Sequence, residues 1–146
     1  MTSGIPVFRD SLLCGRIAFV TGGSSGICLR IAERFAAHGA KVALLGRTQE
    51  KLDRASAAIR EAGGDAAGFA ADVRDYTALS GAFQKARDQY GEIDILLCGA
   101  AGNFPAPALG MSANGFKAVI DIDLLGTLDM ASYCPLIHEV LSNKLG

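Results

Sequence analysis

The chain has 146 residues, half of them apolar, with 14 Lys and Arg against 15 Asp and Glu for a formal net charge of -1. That is the size and balance of one globular domain, without the basic excess that a nucleic-acid surface requires. No apolar run approaches the ~18 residues of a membrane span, and residues 1–10 do not have the basic start and apolar core of a secretory leader. Cys14, Cys28, Cys98 and Cys134 are too widely spaced for a zinc site or a disulfide framework, so no metal is expected and reduced thiols in an intracellular compartment are the simplest reading.

In chain order, apolar strands alternate with longer amphipathic segments. Ile17–Thr21 reads as a strand that breaks into a glycine-rich turn and then a helix at 26–38, which Gly39 stops. A strand at 42–45 leads through Gly46-Arg47 to a helix with Thr48 as its N-cap, apolar positions Leu52, Ala55, Ala58 and Ile59, and a Gly63-Gly64 stop. A strand at 66–71 ends at Asp72-Val73, a helix follows over Tyr76–Tyr90, and a strand occupies 93–97. Parallel strands need crossovers and helices provide them, so these units predict an α/β, doubly wound parallel sheet. After Cys98 comes a loop with prolines as far as Ser112. Helical periodicity then resumes through Phe116, Val119, Ile120, Leu124 and Leu128 and on to Leu141. With no repeat or linker, residues 1–146 read as one domain.

The junction Thr21-Gly22-Gly23-Ser24-Ser25-Gly26-Ile27 is the strongest functional signal. A strand, a glycine turn and a helix in that order bring unpaired backbone N–H groups and the positive end of a helix dipole to one spot, which suits a pyrophosphate. The loop resembles that of the short-chain dehydrogenase/reductase family, and the resemblance implies the N-terminal half of a Rossmann-type sheet that binds a nicotinamide cofactor. The family pattern ends Gly-Ile-Gly, whereas Cys28 stands at the last position. The third glycine lets helix and cofactor approach closely, so a side chain there is expected to weaken or reshape cofactor binding.

An acidic residue at the end of the second strand would favour NAD, but this chain has Gly46-Arg47, with room and charge for a 2′-phosphate. NADP(H) is therefore the expected cofactor, with Thr48 and Lys51 assisting. The alternative is that Arg47 is only a solvated helix-start residue. Asp72-Val73 matches the family's acidic turn that contacts adenine; the alternative is an Asp capping the next helix.

Ala100-Ala101-Gly102-Asn103-Phe104, Ser112-x-Asn114-x-Phe116-Lys117-x-Val119 and Asp121-Ile122-Asp123-x-x-Gly126-Thr127 together resemble the 2,4-dienoyl-CoA reductases of that family, most closely the peroxisomal type. The resemblance implies NADPH-dependent reduction of a 2,4-dienoyl-CoA to a 3-enoyl-CoA in β-oxidation of unsaturated fatty acids. Asp123 would then be the catalytic carboxylate, positioning a water or relaying a proton to the substrate α-carbon; the alternative is a helix-kink carboxylate bonded to local backbone. Cofactor contacts carried over are Gly22–Ile27, Arg47, Thr48, Lys51, Asp72, Val73, Ala100 and Gly102. The acyl-CoA contacts are Arg74, Phe104, Ser112, Ala113 and Asn114. The bland readings of Phe104, Arg74 and Ser112 are a loop aromatic, a solvated charge and an N-cap. The helix 112–143 resembles the surface through which the family forms homo-oligomers. A peroxisomal location rests on the resemblance alone, since the final Lys144-Leu145-Gly146 is not a Ser-Lys-Leu address.

Several positions depart from the pattern. Cys98-Gly99 replaces asparagines at the end of the fourth strand, and Leu128-Asp129 replaces Phe-Asn. The later Ser and Tyr-x-x-x-Lys do not occur within residues 1–146, Tyr133 being followed four residues on by Ile137. The chain therefore reads as an incomplete member with strand 93–97 left as an edge. Alternative functions are a catalytically silent NADP(H)-binding or subunit-interaction module, or another acyl-thioester reductase.

Overall fold

The structure is a computed structural model and describes residues 8–102 and 106–133. Four parallel strands, β1 (Ile17–Thr21), β2 (Lys41–Gly46), β3 (Asp65–Ala70) and β4 (Ile95–Leu97), form one sheet in the order β3-β2-β1-β4. Helices α1 (Gly26–Ala37), α2 (Gln49–Glu61) and α3 (Tyr76–Tyr90) make the crossovers, so the expected doubly wound α/β architecture is present.

Alternation along the strands explains the two layers. Phe19, Ala43 and Leu45 face one side and join Leu79, Phe83 and Met130 in a core, with the Phe19 and Phe83 rings 5.0 Å apart. Val20, Val42 and Leu44 face the other side and pack with Ala32, Leu52 and Ile59 from α1 and α2. Both faces of β1 and β2 are thereby buried, which is why those strands read as continuous apolar runs.

The predicted elements need three corrections. β4 begins at Ile95 rather than 93, because Asp94 turns its side chain back onto β1: its Oδ2 accepts the Ile17 N–H at 2.9 Å while its own N–H donates to the Ile17 carbonyl at 2.9 Å. Thr48 is the N-cap of α2 but its hydroxyl makes no cap bond, whereas Asp75 caps α3 by accepting the Ala78 N–H at 3.0 Å. The capping alternative for Asp72 therefore belongs to Asp75.

The third correction concerns the long helix. Ser112 caps α4 (Ala113–Val119) through the Gly115 N–H at 3.0 Å, a π-helical turn spans Ile120–Leu125, and α5 (Gly126–Ser132) continues the run. The π turn has an identifiable bond pattern. Gly126 N–H reaches back to the Asp121 carbonyl, and the Thr127 hydroxyl takes the Asp123 carbonyl at 2.8 Å. The expected extension to 143 and the contact of Phe104 lie outside the described residues.

Candidate functional site

The carboxyl ends of the strands, with the loops that follow them, enclose one cleft of about 780 Å³. Its first wall is the glycine turn. Thr21, 1% exposed, donates its hydroxyl to the Leu97 carbonyl at 3.4 Å and accepts the N–H groups of Gly99 at 2.9 Å and Ala100 at 3.1 Å. One side chain thus ties the end of β1 to the end of β4.

Gly22 follows with φ +69°, and a Cβ there would come within 2.8 Å of the Gly99 carbonyl oxygen, so both conformation and space demand glycine. Gly23 is buried beneath the turn, its N–H donating to the Leu45 carbonyl at 3.2 Å. Gly26, φ +62°, opens α1, and a Cβ on it would meet only open space. Ser25, the N-cap residue, makes no side-chain cap bond. The first turn of α1 therefore keeps N–H groups for an anion, with Ser24, Ser25 and Ile27 lining the cleft beside them.

The second wall comes from β2 and β3. Gly46 and Arg47 line it, and a Cβ at Gly46 would already touch Ser24 Oγ at 3.4 Å. Beside them, past the end of β3, stands Asp72, whose Oδ1 accepts the backbone N–H and Nε–H of Arg74, each at 3.0 Å, and whose Oδ2 accepts from Nη2 at 2.6 Å. The Arg74 guanidinium holds the Asp72 carboxyl below the usual carboxylate range, with Arg47 adding to the effect and partial burial opposing it. Arg74 is accordingly engaged with Asp72 rather than standing as a solvated charge.

The third wall is the loop after β4 against the π turn. Gly102 donates its N–H to Asp123 Oδ1 at 2.9 Å, and a Cβ on Gly102 would come within 2.5 Å of Ile122 Cδ1. Gly126, buried at the start of α5, approaches Val73 so closely that a Cβ would lie 3.1 Å from the Val73 Cβ. The small residue brings α5 down onto the loop after β3.

Cys28 sits on the cleft lining with its thiol against Gly99, donating to the Gly99 carbonyl at 3.6 Å. Gly22, Ser24, Ser25, Ile27, Arg47, Asp72, Val73, Arg74, Ala100 and Gly102 are thus brought to one cleft. Thr48, Lys51, Ser112, Ala113 and Asn114 are exposed at helix starts and do not line it. For Ser112 the capping role is what the structure shows. Asp123 reaches the cleft through Gly102. Gly46, expected beside Arg47 to make room for a phosphate, does line the cleft, whereas Ala118, Val119 and Ile122 are lining residues that sequence reasoning missed, since they look like ordinary helical positions. Among the described residues no cluster of His, Cys, Asp or Glu is suited to hold a metal ion, and no helix is long and apolar enough to cross a membrane.

Residues 16–136 match the family model for short chain dehydrogenases. The chain is 41% identical over 123 residues to a peroxisomal 2,4-dienoyl-CoA reductase of Arabidopsis thaliana, covering 84% of this chain and 41% of the relative. It is 38% identical over 141 residues to the corresponding Saccharomyces cerevisiae reductase, covering 94% and 48%. A 3-dehydrosphinganine reductase of Arabidopsis thaliana is 44% identical over 117 residues, covering 79% and 34%. The chain thus spans less than half the length of these relatives. Among solved structures, a citronellol catabolism dehydrogenase of Pseudomonas aeruginosa PAO1 superposes with TM-score 0.81 at 34% identity, covering 94% of this chain and 54% of the other. The L-sorbose reductase of Gluconobacter frateurii complexed with NADPH and L-sorbose gives TM-score 0.82 at 25% identity, covering 90% and 51%.

Proposed function

Because the chain belongs to the short chain dehydrogenase family, we propose that its cleft is the NADP(H) site of a 2,4-dienoyl-CoA reductase and that residues 1–146 supply the cofactor-binding half of that reaction. The observation that carries the cofactor reading is the convergence of Gly22, the open first turn of α1, Arg47 and Asp72-Val73 on one cleft. The residues fit the group: α1 offers unpaired N–H groups to a pyrophosphate, and the Gly26 position leaves open space above them. Arg47 pairs with a 2′-phosphate, and Asp72 and Val73 flank the adenine.

When bound, NADPH would supply hydride to the far end of the conjugated dienoyl thioester. Asp123, with one carboxylate oxygen on the Gly102 N–H of the cleft lining, is assigned as a proton relay toward the substrate α-carbon. Arg74, Ser112, Ala113, Asn114 and Phe104 are assigned to the acyl-CoA, Arg74 from its place on the cleft wall and the others from the resemblance. Thr48 and Lys51 add positive charge and a hydroxyl near the 2′-phosphate. The names of the relatives support a peroxisomal setting in β-oxidation. Phe116, Leu124 and Leu128, at 59%, 58% and 63% exposure along the helical run, support self-association through it.

The substrate assignment is tested by calorimetric titration of 2,4-hexadienoyl-CoA into the NADPH-loaded protein, with saturated hexanoyl-CoA as comparison. Tighter binding of the dienoyl thioester is expected. Equal affinities, or no binding of either, contradict the assignment.

A further inference from the structure

Cys28 and Gly99 occupy each other's space at the floor of the cleft. A Cβ built on Gly99 would overlap the Cys28 sulfur, while it would lie at an ordinary 3.5 Å from Cys28 Cβ. The thiol alone therefore fills the room that glycine leaves at 99. Its hydrogen bond goes to the Gly99 carbonyl, the same oxygen that lies 2.8 Å from the position a Cβ would take on Gly22.

The Gly99 peptide has no freedom to retreat. Thr21 Oγ1 holds its N–H at 2.9 Å, its carbonyl accepts from the Cys28 thiol at 3.6 Å, and the Thr21 carbonyl lies 3.2 Å from the Cβ position at 99. A side chain at 99 can be relieved only by rotating the Cys28 sulfur out of the gap, and the open space beside it is the cleft that Cys28 lines. In the arrangement present, the thiol is stowed against the Gly99 peptide just past the end of β4.

We propose that Cys28 and Gly99 form one interlocked pair that positions the first turn of α1 over the end of β4. Cofactor affinity depends on the pair, not on glycine at position 28. The expectation from the loop pattern alone, that a side chain at 28 weakens binding, is thereby reversed: removing the thiol leaves a void and loosens the turn rather than freeing the cleft. The proposal deepens the cofactor reading and rests on it for its effect on binding, but the packing itself does not.

The test is a double-mutant cycle of the wild-type chain, Cys28→Gly, Gly99→Ala and the combined Cys28→Gly/Gly99→Ala, each read by thermal midpoint and by NADPH dissociation constant. Gly99→Ala is expected to weaken NADPH binding by about tenfold or more, the equivalent of ~1.4 kcal/mol. Cys28→Gly is expected not to tighten binding, and the double variant to return to within about threefold of wild type. If Gly99→Ala does not fold while the double variant does, the interlock is equally supported, since removal of the thiol is then the rescue. Additive effects, a Gly99→Ala protein that binds like wild type, tighter binding by Cys28→Gly, or failure of both Gly99→Ala proteins to fold overturns it. If the wild-type chain itself does not bind NADPH, the cofactor reading fails, and the thermal midpoints of the same four proteins still decide the packing claim.

Discussion

Asp123 accepts the backbone N–H of Gly102 at 2.9 Å across 21 residues of sequence. The bond joins the π turn to the loop that follows β4, and the residue before Asp123 enforces it: Ile122 Cδ1 lies 2.5 Å from where a Cβ on Gly102 would sit. Adjacent side chains of one helical turn thus address the same glycine, one by excluding a side chain and one by taking its N–H. A π turn adds a residue to the helical repeat and re-aims the side chains that follow it, a device frequent at functional sites. Here it delivers a carboxylate to the rim of the cleft.

Removal of that carboxylate should be felt by the cofactor. Asp123→Ala leaves the Gly102 N–H without its partner and is expected to weaken NADPH binding several-fold, in keeping with ~1 kcal/mol for one hydrogen bond. Asp123→Asn retains an oxygen acceptor and should stay within about twofold of wild type. Fluorescence titration of NADPH distinguishes the two variants; equal losses would mean that charge, not the bond to Gly102, matters for binding.

The Arg47 guanidinium and the side-chain-free Gly46 beside it predict a preference for NADPH over NADH. Arg47→Asp replaces a partner of the 2′-phosphate with a like charge and a potential acceptor for a ribose diol, and the preference should invert. The check is calorimetry of both dinucleotides with both proteins. Unchanged selectivity in the variant would remove Arg47 from the site.

Acid should unfold the protein partly through Asp94. The Ile17 N–H, more than Arg16, holds its carboxyl below the ordinary value of 3.8, against the opposing effect of burial. A carboxyl with a depressed folded-state value contributes stability that is fully present above the unfolded value and is lost as pH falls below about 4 through the folded one. The Arg16 ion pair adds little, since the arginine side chain is 61% exposed. Asp94→Ala should lower stability at neutral pH by about 1 kcal/mol and flatten the acid limb of the stability curve. Urea melts across the acid range that superimpose for variant and wild type would contradict this.

Gly22→Ala is expected to be costly to both fold and binding. The alanine would have to adopt φ +69° with its Cβ 2.8 Å from a carbonyl that is itself held in place. The left-handed conformation alone costs ~1–2 kcal/mol. A thermal midpoint unchanged by the substitution would show that the turn relaxes.

Much of this was legible in the sequence because strong local signals agree with the tertiary arrangement. Val20, Val42 and Leu44 are buried on a sheet covered on both faces, so the strands read as apolar runs and the crossovers follow. Gly22 and Gly26 announce the turn because their positive φ strongly favours glycine. What remained hidden depends on contacts distant in sequence. Asp94 shortens β4 through bonds to a strand 77 residues earlier, which no local pattern records. The π turn at Ile120–Leu125 keeps helical composition while changing the bond pattern, so periodicity passes over it. Cys28 and Gly99, 71 residues apart, each looked like a separate departure from a family pattern and become one feature only when their atoms are seen together.

A single dinucleotide site would draw together the turn after β1, the ends of β2 and β3 and the loop after β4. Its most direct test is amide NMR of the protein titrated with NADPH. Saturable shifts should concentrate on residues 22–28, 46–47, 72–74 and 99–102, leaving the outer faces of α2 and α3 unmoved. Shifts that gather elsewhere, or an unchanged spectrum at saturating NADPH, would mean that this cleft is not a dinucleotide site.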